Sequence, residues 1–123
     1  MISIDSYGWI ERFTNGAKAQ AYNKIIDNSD PTELVTSVVV LYEFYKKVKM
    51  VKGEETALET VGALNQTEVV SVDQTLALEA ADYGLEHNLH FADALVYATA
   101  RKYSAELYTS DEDLKGLSGV QFV

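Results

Sequence analysis

Residues 1–13 read MISIDSYGWIERF, a short apolar run that ends at an acid and passes into residues with helical spacing. The run Met1–Ile4 predicts a β-strand, and the spacing that follows predicts a short α-helix over Ser6–Phe13. A strand that leads directly into a helix is typical of parallel sheets whose faces are covered by helices. Functional sites in such sheets lie beyond the carboxyl ends of the strands, which is where Asp5 stands.

The rest of the chain repeats this alternation. Further strands are predicted at Glu33–Thr36, Val69–Val72, Leu107–Thr109 and Val120–Val123, and further helices at Ala17–Asp27, Val38–Met50, Glu54–Leu64, Gln74–His87 and Phe91–Tyr103. The valines that open 38–50 favour a strand, but Ser37 suits an N-cap and later apolar residues recur every few positions. We therefore expect an α/β fold, with three α/β/α layers around a central, mostly parallel sheet, in a single domain over residues 1–123.

The amino-acid composition indicates a globular protein and excludes several kinds of functional site. Of the 123 residues, 47% are hydrophobic and 24% are charged, which favours a packed core over disorder. The chain contains no cysteine, so disulfides, thiolate metal sites and cysteine nucleophiles are excluded. No apolar run is long enough for a membrane span and no signal peptide is recognisable, so we expect a cytoplasmic protein without a membrane partner.

The net charge of −9 argues against passive binding to nucleic acid, which normally needs a basic surface. Carboxylates can instead be gathered to hold cations, which then attract phosphate. Four acids suit this role: Asp5 and Asp111 follow predicted strands, whereas Glu43 and Asp93 each interrupt an apolar helix. An unpaired buried carboxylate is costly, so such acids are exposed, paired or bound to metal. Taken singly, Asp5 also fits an N-cap and Asp111 an Asx turn, and both local roles remain open.

The segments around these acids resemble the motifs of PIN-domain ribonucleases, in the same order and at typical spacing along nearly the whole chain. They are Asp5–Phe13, Glu43 on the helix after the second strand, Phe91–Ala100, and Leu107–Leu114 with its T-x-D-x-D pattern. Leu114 departs from the family, which usually has Phe there, and this concerns packing rather than chemistry. Domains of this size resemble the VapC toxins of type II toxin–antitoxin pairs.

The resemblance implies a metal-dependent endoribonuclease in which Mg²⁺ or Mn²⁺ is bound by catalytic acids, namely Asp5, Glu43, Asp93 and Asp111. Carboxylate oxygens are the ligands that these ions prefer, and a bound ion activates water without a protein base. The residues expected in supporting roles are Ser6, Thr109, Ser110 and Asp113, and Asp113 is also a candidate fifth acid of the set. The resemblance further implies an RNA substrate, a homodimer and a small antitoxin protein that blocks the site.

Several lysines follow Glu43 in the same predicted helix. Lys46, Lys47 and Lys49 are candidate contacts to the RNA backbone, although a solvated helix end that complements the helix dipole is the simpler interpretation. Four aromatic residues lie near the proposed site in sequence: Tyr7, Trp9, Tyr42 and Tyr45. They could stack on an unpaired base, but packing in the core or in a dimer is the simpler interpretation.

Two other classes of protein remain open. The first is a catalytically inactive PIN-like module that binds RNA or a protein, which the full set of four acids disfavours. The second is a phosphatase-like or receiver-like α/β domain with Asp5 as phosphoacceptor, and the sequence lacks the second acid that either pattern needs. Metal titration tests the first class, and incubation with a phosphodonor tests the second.

Overall fold

The computed structural model describes residues 1–123 as five β-strands and six α-helices. The strands are β1 (Ile2–Ile4), β2 (Val35–Ser37), β3 (Glu68–Val70), β4 (Glu106–Thr109) and β5 (Val120–Phe122). The helices are α1 (Ser6–Thr14), α2 (Ala19–Asp27), α3 (Val38–Lys52), α4 (Glu54–Leu64), α5 (Gln74–His87) and α6 (Phe91–Lys102). Short 3₁₀ turns, Pro31–Glu33 and Glu112–Leu114, stand before β2 and after β4.

All strand pairs in the sheet are parallel. β1 lies beside β4, with Ile4 opposite Tyr108, and β4 lies beside β5. β2 pairs with β3, and a single parallel bridge between Ile2 and Leu34 joins this pair to β1. The strand order is therefore β3–β2–β1–β4–β5. It makes neighbours of β1 and β4, so residues that follow these two strands meet at one edge of the sheet.

Helices cover both faces of the sheet and give the protein three layers. On one face, Val35 of β2 and Val70 of β3 pack in a cluster with buried residues of α5 and α6. A larger cluster joins Ile4 of β1 and Leu107 of β4 to buried side chains of α1, α2, α3 and α4. Helix α6 contributes to both clusters and is buried without interruption from Ala94 to Ala100. No helix combines the length and the apolar character that crossing a membrane requires.

The predicted α/β/α architecture is confirmed, and the predicted elements differ from the observed ones by at most two residues at their ends. Residues 38–50 are helical, and Ser37 caps this helix by accepting a hydrogen bond from the Val39 N–H at 3.1 Å. β2 starts later than expected, because Asp30 and Glu33 form a capping box that closes a 3₁₀ turn where the strand was predicted to begin.

Candidate metal centre

Asp5 is held where β1 and β4 end side by side. Its side chain is buried, and Oδ1 accepts from the Ser6 N–H at 2.7 Å while Oδ2 accepts from the Thr109 hydroxyl at 2.8 Å. Thr109 Oγ1 also accepts from the Asp111 N–H at 3.0 Å. Asp5 therefore has the N-cap role that the sequence left open. It is also hydrogen-bonded to Thr109, which lies 104 residues later in the sequence and immediately precedes the acidic loop of residues 110–113.

Three more carboxylates converge beyond β4. One oxygen each from Asp93, Asp111 and Asp113 lies within 4.8 Å of the other two. Asp93 belongs to the first turn of α6, and Asp111 caps the 3₁₀ turn by accepting from the Asp113 N–H at 2.9 Å. The Asx-type turn is thus also present, and it brings Asp113 into the closest group of acids. The sequence had suggested Asp113 as a supporting residue and as a candidate fifth acid.

Glu43 approaches the same region from α3. It is partly buried, the Ser6 hydroxyl lies beside it, and the charges of Asp5 and Asp111 act on it. Thr109 and Ser6, both predicted to support the acids, are therefore in contact with them. The structure brings together acids from four segments, and we call these residues the acidic site: Asp5, Glu43, Asp93, Asp111 and Asp113.

Negative charge in the acidic site is not balanced by protein cations. Burial, followed by the charge of Asp111, raises the pKa of Asp93 to about 7. Burial raises the pKa of Asp5, although hydrogen bonds from Thr109 and Ser6 lower it, and burial raises the pKa of Glu43. The four ion pairs of the protein all lie elsewhere. A bound cation would relieve the mutual repulsion of these carboxylates.

The donor atoms fit a hard divalent cation. The acidic site offers carboxylate oxygens, which suit Mg²⁺ and Mn²⁺, and no softer ligand accompanies them. The two histidines lie outside it: the ring of His87 stacks on Tyr83, and His90 precedes the first turn of α6. An excess of negative charge together with an all-oxygen donor set is the combination that such ions bind.

The Ser110 hydroxyl is directed to the protein interior rather than to a carboxylate. Its Oγ donates to the Val123 carbonyl at 3.0 Å and lies 2.7 Å from the Tyr22 hydroxyl. Because Ser110 donates its one hydroxyl proton to Val123, the Tyr22 hydroxyl is the donor in the second contact. Burial raises the pKa of Tyr22 to about 12. Sequence reasoning missed Tyr22, because it occupies an ordinary apolar position of its helix, 88 residues before Ser110.

The three lysines predicted to contact RNA do not share one surface. Lys46 and Lys47 line a cavity of about 320 Å³ whose wall also includes Glu43. The amine of Lys49 instead lies 3.7 Å from Glu54 and 5.6 Å from the centre of the Tyr45 ring. Lys46 and Lys47 therefore adjoin the acidic site, whereas Lys49 is turned towards α4.

Comparison with solved structures finds the same fold in other proteins. The toxin–antitoxin complex from Klebsiella pneumoniae matches with a TM-score of 0.83 at 23% identity, over 98% of this chain and 96% of that chain. Mycobacterium tuberculosis VapC20, a Sarcin-Ricin loop cleaving toxin, matches with a TM-score of 0.81 at 22% identity, over 98% and 99%. FitAcB from Neisseria gonorrhoeae matches with a TM-score of 0.71 at 18% identity, over 90% and 88%.

These structures share the fold of the chain, and no curated protein matches its sequence. The family profile described as PIN domain matches residues 2–120, which include all the strands and helices except the last residues of β5. The chain belongs to the PIN-domain family.

Proposed function

We propose that the protein is a metal-dependent endoribonuclease that acts in the cytoplasm as the toxin of a type II toxin–antitoxin pair. The observation that carries the proposal is the convergence of five carboxylates from four segments, none of them paired with a cation. Membership of the PIN family supports nuclease chemistry. The extent of the family match also supports treating the chain as one nuclease domain.

Asp5, Glu43, Asp93 and Asp111 would hold Mg²⁺ or Mn²⁺, with Asp113 as an additional ligand. When bound, such ions supply an activated water molecule and neutralise charge on the phosphate during phosphodiester hydrolysis. The protein contributes orientation, because Thr109 and the Ser6 N–H each fix one oxygen of Asp5.

The test is cleavage of a structured RNA in the presence of Mg²⁺ or Mn²⁺. Replacing single acids with the matching amide (Asp5→Asn, Glu43→Gln, Asp93→Asn or Asp111→Asn) is expected to reduce cleavage by about a hundredfold or more, and double changes should add little. Glu112→Gln is a matched control, because Glu112 is an exposed acid of the same loop. Full activity in excess EDTA, or an equal loss in the Glu112 variant, would contradict the proposal.

We further propose that a small antitoxin covers the acidic site and places a basic side chain among its carboxylates. The absence of an internal cation supports this, because an incoming cation would neutralise the acids much as a metal ion does. The test is whether a small protein copurifies with this chain from cells that also carry the neighbouring genes of its operon. Salt is expected to weaken the complex. A chain that is neither toxic nor accompanied by a partner protein would count against the toxin assignment, though not against the nuclease.

A further inference from the structure

A cavity of about 320 Å³ lies between α1 and α3, directly beside the acidic site. Ser6 and Glu43 form the side nearest the carboxylates, and Lys46 and Lys47 form another side. Ile10, Tyr42 and the exposed Met50 form the rest of the wall. Its volume is at the lower end of the range found for small-molecule sites, so it is suited to one compact group rather than to a protein segment.

The cationic side of this cavity is unusual for the molecule. The protein carries ten basic side chains against nineteen acidic ones, and four of the ten lie within residues 46–52. The amines of Lys46 and Lys47 have no ion-pair or hydrogen-bond partner in the protein, in contrast to Lys49 with Glu54. Two exposed, unpaired cations next to a set of carboxylates suit a ligand that is itself anionic and reaches towards the acidic site.

An aromatic ring stands beside these cations. Tyr42 lines the same cavity and is 62% exposed, so its ring is available to a ligand rather than packed in the core. The Lys46 amine lies 5.7 Å from the centre of the Tyr42 ring. An exposed ring with adjacent cations is the arrangement by which proteins bind single nucleotides, through base stacking and phosphate contacts.

We propose that this cavity is a subsite for one unpaired nucleotide of the RNA, next to the phosphate that is cut, with the base on Tyr42 and its phosphate at Lys46 and Lys47. The inference rests on the proposed function, because it assumes that the acidic site acts on RNA. The two adjacent lysines favour a nucleotide over an antitoxin segment, because they would repel the basic side chain proposed for the antitoxin.

The first experiment measures binding without cleavage. A short single-stranded RNA that carries 2-aminopurine at successive positions is titrated in EDTA with the full-length protein, and fluorescence reports stacking. Tyr42→Phe keeps the ring and is expected to bind like the parent, whereas Tyr42→Leu should weaken binding by about tenfold and abolish quenching at one position. Equal binding by all three proteins, at unchanged melting temperature, would overturn the proposal.

The second experiment separates local contacts from overall charge. The double variants Lys46→Ala/Lys47→Ala and Lys49→Ala/Lys52→Ala remove the same number of charges from the same helix. Only Lys46→Ala/Lys47→Ala is expected to weaken binding strongly. It should also lower the slope of the logarithm of the binding constant against the logarithm of the salt concentration by about two, or one for each lysine. Equal losses in both would assign the effect to net charge and overturn the subsite.

These outcomes are independent of catalysis. If Tyr42→Leu loses stacking in EDTA while the parent cuts no RNA with Mg²⁺ or Mn²⁺, the subsite stands and the proposed function fails. If the parent cuts RNA and Tyr42→Leu binds normally, the nuclease stands and the subsite fails. If Tyr42→Leu loses only a copurified protein partner and no RNA affinity, the cavity is a protein-binding surface and the proposal is wrong.

Discussion

At the scale of single residues, Asp93 is a side chain whose negative charge is disfavoured in the folded protein. Its pKa of about 7, against an ordinary value of 3.8, follows from burial and from the charge of Asp111. A raised folded-state pKa means that the folded protein binds the proton more tightly than the unfolded chain does. The resulting stabilisation is complete below a pH of about 4, and it is lost as the pH rises through the folded-state pKa of about 7.

The variant Asp93→Asn removes this charge and is expected to melt higher than the metal-free parent at neutral pH. The gain is about 1 kcal/mol once solvent screening of a half-exposed group is allowed for, or ~4 °C. The difference should shrink at mildly acidic pH, where the parent is protonated. Saturating Mn²⁺ should reverse the order, because a ligand at ~100 times its dissociation constant adds about 2.7 kcal/mol to the protein that binds it.

The measurement is thermal unfolding of both proteins with EDTA and with Mn²⁺, and Glu112→Gln again serves as the control for loss of an exposed charge. A lower melting temperature for Asp93→Asn in EDTA, together with no metal-dependent shift in either protein, would identify Asp93 as a structural acid. The acidic site would then not be a metal-binding site.

Tyr22 has a positioning role that is also tested at this scale. Its hydroxyl holds Ser110, the residue between Thr109 and Asp111, at 2.7 Å. Tyr22→Phe is expected to cost about 1 kcal/mol of stability and to weaken Mn²⁺ binding about tenfold, as loss of an outer partner of a metal site does. Isothermal titration with Mn²⁺ measures this directly, without RNA.

The control for this prediction is Tyr97→Phe. Tyr97 is also buried, and its hydroxyl donates to the Ser118 carbonyl at 2.8 Å, which is no part of the acidic site. Its loss should lower stability to a similar degree and leave Mn²⁺ affinity unchanged. If both variants bind Mn²⁺ with the same affinity as the parent, Tyr22 contributes to stability and does not position the metal site.

At the scale of elements, the site depends on the close approach of α1 and α2. A Cβ added at Gly8 would meet Tyr22 Cε1 at 2.5 Å and Ile4 Cγ2 at 2.6 Å, so only glycine lets α2 lie this near the first turn after Asp5. Gly8→Ala is expected to destabilise the protein by about 1–3 kcal/mol through overpacking. Gly62→Ala, in open space on α4, should instead stabilise it by about 1 kcal/mol.

Urea unfolding of both glycine variants measures these opposite effects with the same chemical change. A Gly8→Ala protein that unfolds at the same urea concentration as the parent would mean that α1 and α2 separate without cost. In that case Tyr22 would not be held against α1, and its link to Ser110 would need another explanation.

At the scale of the whole molecule, the homodimer that the resemblance to VapC toxins implies needs a surface where two chains of net charge −9 can meet. A cavity of about 600 Å³ between α5 and α6 is lined almost entirely by hydrophobic residues, and two of them, Leu85 and Phe91, are 87% and 81% exposed. Such apolar exposure is typical of interaction surfaces. We expect Leu85→Ser/Phe91→Ser to convert a dimer into a monomer by light scattering, whereas Leu58→Ser on α4 should not. A parent that is monomeric at high concentration would contradict the dimer.

The sequence by itself determined the elements, and it predicted four acids that the fold brings close together, because both are recorded in local patterns. Apolar spacing marked the strands and helices, Ser37 marked the start of α3, and an isolated acid in an apolar helix marked Glu43 and Asp93. Local patterns of this kind report the preferences of neighbouring residues, which is why the predicted ends lie so close to the observed ones.

Only the tertiary structure decided which side chains meet. Pairing of β1 with β4 sets Thr109 against Asp5, the turn after β4 brings Asp113 to Asp93, and Ser110 is directed to Tyr22. These contacts join residues far apart in sequence, and strand order and helix packing fix them rather than any local preference. The same holds for Lys46 and Lys49, which share one helix yet face different neighbours, because the direction of each side chain depends on what packs around α3.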